Sequence, residues 1–415
     1  MTQSDAAKPM SLEAAKSAML SAVDCRLPTS SVALHNLPGR VLATDIVATS
    51  DSPPADNSAM DGYALRACDL GVVDEFEVAG RVMAGDAFKG VVGAGQAVRI
   101  MTGAPLPAGA DTVVMQENVE VSGEYLHGGK PCRMRLLEQP KPGANVRKAG
   151  EDMARGETVY TAGRRLNPVD IGILATLGMA EAEVRAPLRV ALFASGDELR
   201  APGERLEPGE IYDSNRYFLR ALLSRHGYEV VDLGVVADDP ALLREAYSEA
   251  DSRADAVITC GGASVGEADY ARDLLAATGE VGFWKVAIKP GKPFIFGHLS
   301  NSVFFGLPGN PVSALVTFQQ LVAPCLQKMQ GAVVTRPLLL TAVTTLDIKR
   351  NRSRLDFQRG LFATDEQGRL CVTPDRQQSS GALGPLSRCN CFIRVAPGSE
   401  AIRAGEAVDI ELFDF

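Results

Sequence analysis

Residues 256–269, AVITCGGASVGEAD, constrain the fold more than any other stretch of the chain. Ala256 to Cys260 is a short apolar run rich in β-branched residues, the pattern of a strand buried on both faces of a parallel sheet. Gly261 and Gly262 follow at once. Glycine takes backbone angles closed to other residues and lets a ligand approach the main chain. Ser264, Gly266, Glu267 and Asp269 add a hydroxyl, another bare position and two carboxylates. At the C-terminal edge of an open α/β sheet such a loop turns main-chain N–H groups toward a ligand. A Gly-Gly pair by itself suits either an anion-binding loop or an ordinary tight turn. Further polar clusters at comparable strand ends favour the ligand loop.

Length and composition narrow the classes. A chain of 415 residues is long enough for two to four domains. With 46% hydrophobic and 22% charged residues it reads as a water-soluble globular protein. No run approaches the ~18 apolar residues of a membrane span. The N-terminal MTQSDAAKPMSLEAAK lacks a basic start followed by an apolar core, so a cytoplasmic protein is expected. A net charge of −9 and no evident basic run argue against nucleic acid. None of the eight cysteines forms a C-x-x-C pair, so buried free thiols are expected rather than zinc sites or disulfides.

Along the chain, residues 11–25 predict an amphipathic helix with Ser11 as cap. Residues 32–49 read as extended, and DSPPADNSAMDGYALR (51–66) as a polar linker or ligand-facing loop. Residues 74–140 alternate short strands with Gly-rich turns, a small β domain. The loop at 143–152 returns the chain to the part left near residue 50, making that domain an insertion. Asn167 caps a helix that Pro168 opens and Gly178 ends. Beyond Pro187 strand and helix alternate, which predicts a parallel sheet with helices on its faces. Residues 335–415 return to strands. The expected fold is therefore α/β plus β, with a composite domain of residues 1–50 and 141–178, an inserted β domain at 51–140, an α/β domain at 179–331 and a C-terminal β domain at 332–415.

Polar groups gather after the strands and turns of the α/β domain. They are the run from Ser195 to Glu198, that from Tyr212 to Asn215, Asp238 with Asp239, and the loop closed by Asp269. Lys285, Lys289 and Lys292 lie in WKVAIKPGKP, and Pro308-Gly309-Asn310-Pro311 opens the last helix. A lone Asp after a strand is usually a helix cap. Three acidic clusters facing lysines and glycine turns suggest more. Hard carboxylate oxygens suit Mg²⁺, lysines suit oxyanions, and helix N-termini add partial positive charge. The inferred ligand is a phosphate-bearing anion with Mg²⁺. No Ser-His-Asp or Cys-His arrangement is visible.

Taken together, DNSAMDGYA (56–64), RIMTGAP (99–105), GED (150–152), SGDEL (195–199), IYDSN (211–215), GGASVGEADY (261–270), KPGKP (289–293), GLPGNPVS (306–313) and LDFQRG (355–360) resemble the molybdopterin molybdenumtransferase family, MoeA, also found as the E domain of gephyrin. The resemblance covers nearly the whole chain in order. It implies conversion of adenylylated molybdopterin and molybdate to molybdenum cofactor, with release of AMP, in the presence of Mg²⁺ or Zn²⁺. It also implies an elongated homodimer with a molybdopterin-binding α/β domain, a C-terminal β-barrel and a cleft completed by the partner's N-terminal and inserted regions. Molybdopterin adenylyltransferase and molybdoenzyme maturation factors are the implied protein partners.

Carried over motif by motif, the resemblance implies catalytic roles for Asp61, Thr102, Asp152, Glu198, Asp238, Asp269, Lys285 and Lys289. Glu198, Asp238 and Asp269 are the implied metal ligands. Arg147, Ser195, Gly196, Asp213, Asn215, Gly261, Gly262, Ser264 and Gly266 are expected at the substrate, with Pro308, Gly309, Asn310, Pro311, Arg359 and Ser380. Ser379-Ser380-Gly381 stands where many members read Gly-Ser-Gly, and Ala263 replaces a more usual Val. Three other classes compete: an adenylyltransferase acting one step earlier, which lacks the flanking β domains; a nucleotide pyrophosphatase on the same α/β fold; and a non-enzymatic dimeric scaffold.

Overall fold

The strand predicted at 256–260 is the third of six in a sheet at the centre of the molecule. A computed structural model describes residues 9–123, 132–261, 281–291 and 293–413. The sheet order is Glu229–Val236, Arg189–Ser195, Ala256–Gly261, Val303–Pro308, Pro293–His298, Val281–Lys285. The first four strands are parallel. The last two alternate antiparallel, which the expectation of a wholly parallel sheet did not include. For Pro293–His298 and Val303–Pro308 the cause is the short link 299–302, closed by the Leu299 N–H to the Ser302 carbonyl. It leaves no room for the crossover a parallel pair requires.

Strand alternation divides the core in two. Val190, Leu192 and Ala194 face one layer with the helix Asn215–Arg225 and the segment 311–329. Ala191 and Phe193 face the other, with the helix Pro240–Arg253. The N-terminal helix Leu12–Ala22 also packs on the first layer, through Leu12, Ala15 and Met19. Segment 311–329 is one helical run with a π turn at Phe318–Val322.

The composite domain joins distant stretches. Thr29–Ala33 pairs antiparallel with Glu181–Arg185, and Ile46–Val47 with Thr158–Tyr160. The helix Pro168–Thr176 starts with a capping box between Asn167 and Asp170. Asp170 is buried and accepts from the Arg164 guanidinium at 2.8 and 3.1 Å and from the Asn167 N–H at 2.9 Å. Burial pushes its carboxyl up, but the bonds from Arg164, Asn167 and Tyr160 outweigh that and hold it below the usual 3.8.

The chain leaves and re-enters this domain at one place, where Ser52 and Met153 form a bridge. Between them lies a six-stranded sheet ordered Thr112–Met115, Gly62–Leu65, Gln96–Ile100, Glu75–Val82, Arg133–Leu136, Val119–Ser122. Gly62–Leu65 is fully buried inside it, although the sequence there reads as linker. A Cβ at Gly62 would sit 1.9 Å from the Val114 carbonyl oxygen. Val146–Arg147 pairs with Asn57–Ser58, so residues up to 147 pack with the insertion. In the C-terminal region five strands close into a barrel: Leu355–Thr364, Leu370–Pro374, Leu339–Thr344, Ala407–Leu412 and Cys391–Val395, which returns to Leu355–Thr364. A short strand of the α/β part, Ile288–Lys289, adds to the edge of that barrel.

Asp170 supports a pH prediction. Its carboxyl is depressed in the folded state, so the stability it contributes is complete above its ordinary 3.8 and lost as the pH falls through its folded value. Asp170→Asn is expected to cost about 2–3 kcal/mol at pH 7, and progressively less as the pH falls below the ordinary 3.8. Urea midpoints across that range check it; a cost that does not shrink in acid would refute the account.

Candidate functional site

The carboxyl ends of three parallel strands crowd together. Gly261 ends its strand at φ +114°, and a Cβ there would lie 2.3 Å from the Ser195 carbonyl oxygen. Gly196, just past the neighbouring strand, has φ +147° and its missing Cβ would fall 2.6 Å from Glu198 Oε2. No larger residue fits either place without moving main chain or the Glu198 carboxylate. Above these ends lies a cleft of about 390 Å³ lined by Ser195, Glu198, Asp213, Asn215, Cys260, Gly261 and residues 308–311. The starts of two helices, at Asn215 and Pro311, border it. The cleft thus combines bare backbone with helix N-termini, an arrangement that favours anions.

Among the described residues, Glu198 at its rim and Asp238, which follows the neighbouring strand Glu229–Val236, have uncommitted carboxylates. Glu198 and Asp238 are exposed, and among the described residues neither accepts a hydrogen bond through its side chain. Asp239, not Asp238, caps the helix Pro240–Arg253, accepting from the Ala241 and Leu242 N–H groups. The Asp238 N–H donates to Asp197 Oδ1 at 3.1 Å, which ties the two strand ends together. As a donor type a free carboxylate suits Mg²⁺, which binds through one or two carboxylates and takes the rest from water and substrate oxygens. Zn²⁺ sites draw on His and Cys, and among the described residues lining the cleft only Cys260 is of that kind. Among the described residues no three His, Cys, Asp or Glu side chains converge on one point. Asp269, the third expected ligand, lies outside the described residues, as do Gly262, Ser264 and Gly266.

Other expected residues have prior partners. Asp213 is buried and its carboxylate is held by Arg216 at 2.8 Å. Arg216 in turn donates twice to Asp232 at 2.7 Å. Asp213 therefore fixes the helix start beside the cleft more than it offers free oxygens. Asn215 donates its Nδ2 to the Gly309 carbonyl at 2.6 Å, strapping one helix start to the other. Its Oδ1 is buried with no partner among the described residues. Arg359 is expected at the substrate, yet it is fully buried. Its Nη2 donates to the carbonyls of Gln377 at 2.7 Å and Ser379 at 3.2 Å. The Ser380 carbonyl accepts from the Val312 N–H at 3.0 Å, so Arg359 holds the barrel's 377–380 loop against the last helix. Burial depresses its pKa.

Lys289 Nζ meets Asp356 Oδ2 at 2.9 Å. Asp356 is buried and Lys289 is about half exposed, so the ammonium is aimed by the carboxylate while still reaching solvent. Asp356 is the residue that sequence reasoning passed over. It stands inside LDFQRG, but only the pairing of Ile288–Lys289 with the barrel shows what it faces. For Lys285 the backbone is described, at the end of Val281–Lys285, and not the side chain.

The remaining candidates sit on the insertion. Asp61 accepts from the Thr102 N–H at 2.8 Å and its hydroxyl at 2.7 Å, and those bonds hold its carboxyl below the usual range. Arg147 lies 3.6 Å from Glu151. Asp152 is exposed beside the Ser52–Met153 crossing. None of these residues lines the α/β cleft of the same chain.

The α/β part defines the class: residues 191–328 match the family described as a probable molybdopterin binding domain. The flanking regions are more specific. Residues 10–178 match the MoeA N-terminal region (domain I and II), and residues 341–413 the MoeA C-terminal region (domain IV). The chain is 43% identical to the molybdopterin molybdenumtransferase of Haemophilus influenzae, over 98% of this chain and 99% of that one. It is 38% identical to that of Nostoc sp., over 93% and 89%. The crystal structure of the molybdopterin biosynthesis MoeA protein from Pyrococcus horikoshii OT3 aligns with a TM-score of 0.81 at 30% identity, covering 98% of this chain and 100% of that one. The chain belongs to the MoeA family.

The crowding at Gly261 is testable directly. Gly261→Ala adds an overlap with the Ser195 carbonyl to a backbone conformation that alanine resists, and is expected to cost about 2–4 kcal/mol. An unchanged urea midpoint would show that the strand ends are looser than described.

Proposed function

We propose that the chain is the enzyme that inserts molybdate into adenylylated molybdopterin and releases AMP, forming molybdenum cofactor. The observation that carries this reading is the cleft at the three strand ends, with its bare backbone at Gly261, its two helix starts and Glu198, uncommitted among the described residues, at its rim. Family membership over the full chain supplies the reaction class.

In this reading the phosphate side of the substrate lies against the backbone of Gly196 and Gly261 and the helix starts at Asn215 and Pro311. Asn215 Oδ1, the unpartnered acceptor, takes an N–H of the substrate. Glu198 and Asp238, with Asp269, would hold Mg²⁺, which would offset charge on the phosphate oxygens. Lys289, aimed by Asp356, binds molybdate as a point charge, and Lys285 joins it. Asp61, Thr102, Arg147 and Asp152 lie on the insertion, away from their own chain's cleft, and serve the partner's cleft in a homodimer. The polar rim from Asp56 to Lys148, joined by a 2.8 Å ion pair, would face that cleft. Molybdopterin adenylyltransferase would hand over the substrate, and molybdoenzyme maturation factors would take the product.

The decisive assay is AMP release from adenylylated molybdopterin with Mg²⁺, with and without molybdate. Molybdate-dependent release is expected; release that ignores molybdate would favour a pyrophosphatase. Glu198→Gln and Asp238→Asn are each expected to lower kcat by about 10²–10³ with the fold intact. Wild-type rates in both would remove these carboxylates from the reaction. Asn215→Ala is expected to weaken AMP binding about tenfold, the cost of one hydrogen-bonding group, readable by calorimetry. An equal Kd would place Asn215 outside the substrate.

A further inference from the structure

Residues 349–354, KRNRSR, form the turn between the barrel strands Leu339–Thr344 and Leu355–Thr364. It is a local basic run, four cations in six residues, where the sequence reading expected none. Lys349, Arg350 and Arg352 are exposed and Arg354 is half-buried. Among the described residues none of the four makes an ion pair, while neighbouring barrel cations such as Arg369, Arg388 and Arg403 all do. The turn has a fixed shape. Asn351 Oδ1 accepts from the N–H groups of Ser353 and Arg354, each at 3.1 Å, and the Asn351 carbonyl accepts from the Gly398 N–H at 2.9 Å.

The base of this turn is bonded to the Lys289 site. Gln358 Nε2 donates to the Lys349 carbonyl at 3.0 Å and to Asp356 Oδ2 at 3.2 Å. That same oxygen meets Lys289 Nζ at 2.9 Å. The Leu355 N–H donates to the Ala287 carbonyl at 3.1 Å, so the turn ends where the lysine strand begins. Cationic side chains carried on one short turn repel one another, and a small dianion among them relieves that repulsion. A chain of net charge −9 repels anions as a whole, so a local positive entrance matters more here than in a neutral protein.

We propose that the 349–354 turn is an electrostatic capture site for the molybdate dianion, which it concentrates beside Lys289. This rests on the insertase reading of the cleft. Lys349, Arg350 and Arg352 act before the chemistry, by raising the encounter rate and local concentration, and Lys289 receives the ion.

The test uses the full-length protein with Lys349→Gln, Arg350→Gln and Arg352→Gln combined. Molybdate half-saturation of AMP release is measured at saturating adenylylated molybdopterin from low salt to about 0.3 M KCl, where exposed charges are screened. The triple variant is expected to need about tenfold more molybdate at low salt, to converge on the wild type at high salt, and to keep its kcat. An identical half-saturation and salt slope would overturn the proposal. A charge-conserving variant, Lys349→Arg with Arg350→Lys and Arg352→Lys, is expected to behave as wild type; a loss there would assign the effect to turn structure and also overturn it. Calorimetry with molybdate alone separates the two readings. If the wild type releases no AMP yet binds molybdate more tightly than the triple variant, the capture site stands without the insertase. Equal binding by both proteins ends it.

Discussion

Main-chain crowding at the carboxyl ends of the central strands is the constraint on which the site depends. Ser195 and Gly261 approach so closely that neither a side chain nor an ordinary backbone angle is available at Gly261. Local contacts fix the rim around it: Glu198 turns back beside Gly196, and Asn215 straps its helix to Gly309. Such preorganisation places donors where charge gathers without reordering them at the moment of reaction. The buried triad of Asp213, Arg216 and Asp232 fixes the same helix start from behind.

A second constraint joins the domains. Ile288–Lys289 belongs to the α/β chain and yet pairs with the barrel. The lysine expected to meet an oxyanion is therefore positioned by Asp356 of a different domain. Arg359, buried in the barrel, steers the 377–380 loop onto the start of the last helix. The barrel is thus part of the site's framework, coupled to it by one strand and one loop.

Much of this was legible in the chain. Asn167 with Pro168, and Asp239 with Pro240, mark helix starts by residue chemistry alone. The run at 256–260 announced a buried strand because apolar β-branched residues ended at glycine. What escaped depended on tertiary context. Gly62–Leu65 is four residues long and flanked by turn formers, so only its neighbours reveal a central strand. The antiparallel edge followed from a short link, which sequence alternation does not record. Their motifs place Asp213 and Arg359 at the ligand, and what those motifs do not record is their burial, with Asp213 held by Arg216 and Arg359 donating to the 377–380 loop. Asp356 could have been suspected from LDFQRG, but its partner is many residues away.

The pairing of Thr29–Ala33 with Glu181–Arg185 has a consequence for how the protein is made. The first strand leaves the ribosome long before its partner exists. Meanwhile the whole insertion, whose ends meet at Ser52 and Met153, can complete its own sheet. For that interval the early strand carries an unsatisfied edge, the kind of surface on which chains misassociate. Its composition, TSSVA, is mostly small and polar and its residues are largely exposed even when paired. The waiting edge is therefore a poor template for aggregation, and the nascent chain can hold it open until the composite domain closes.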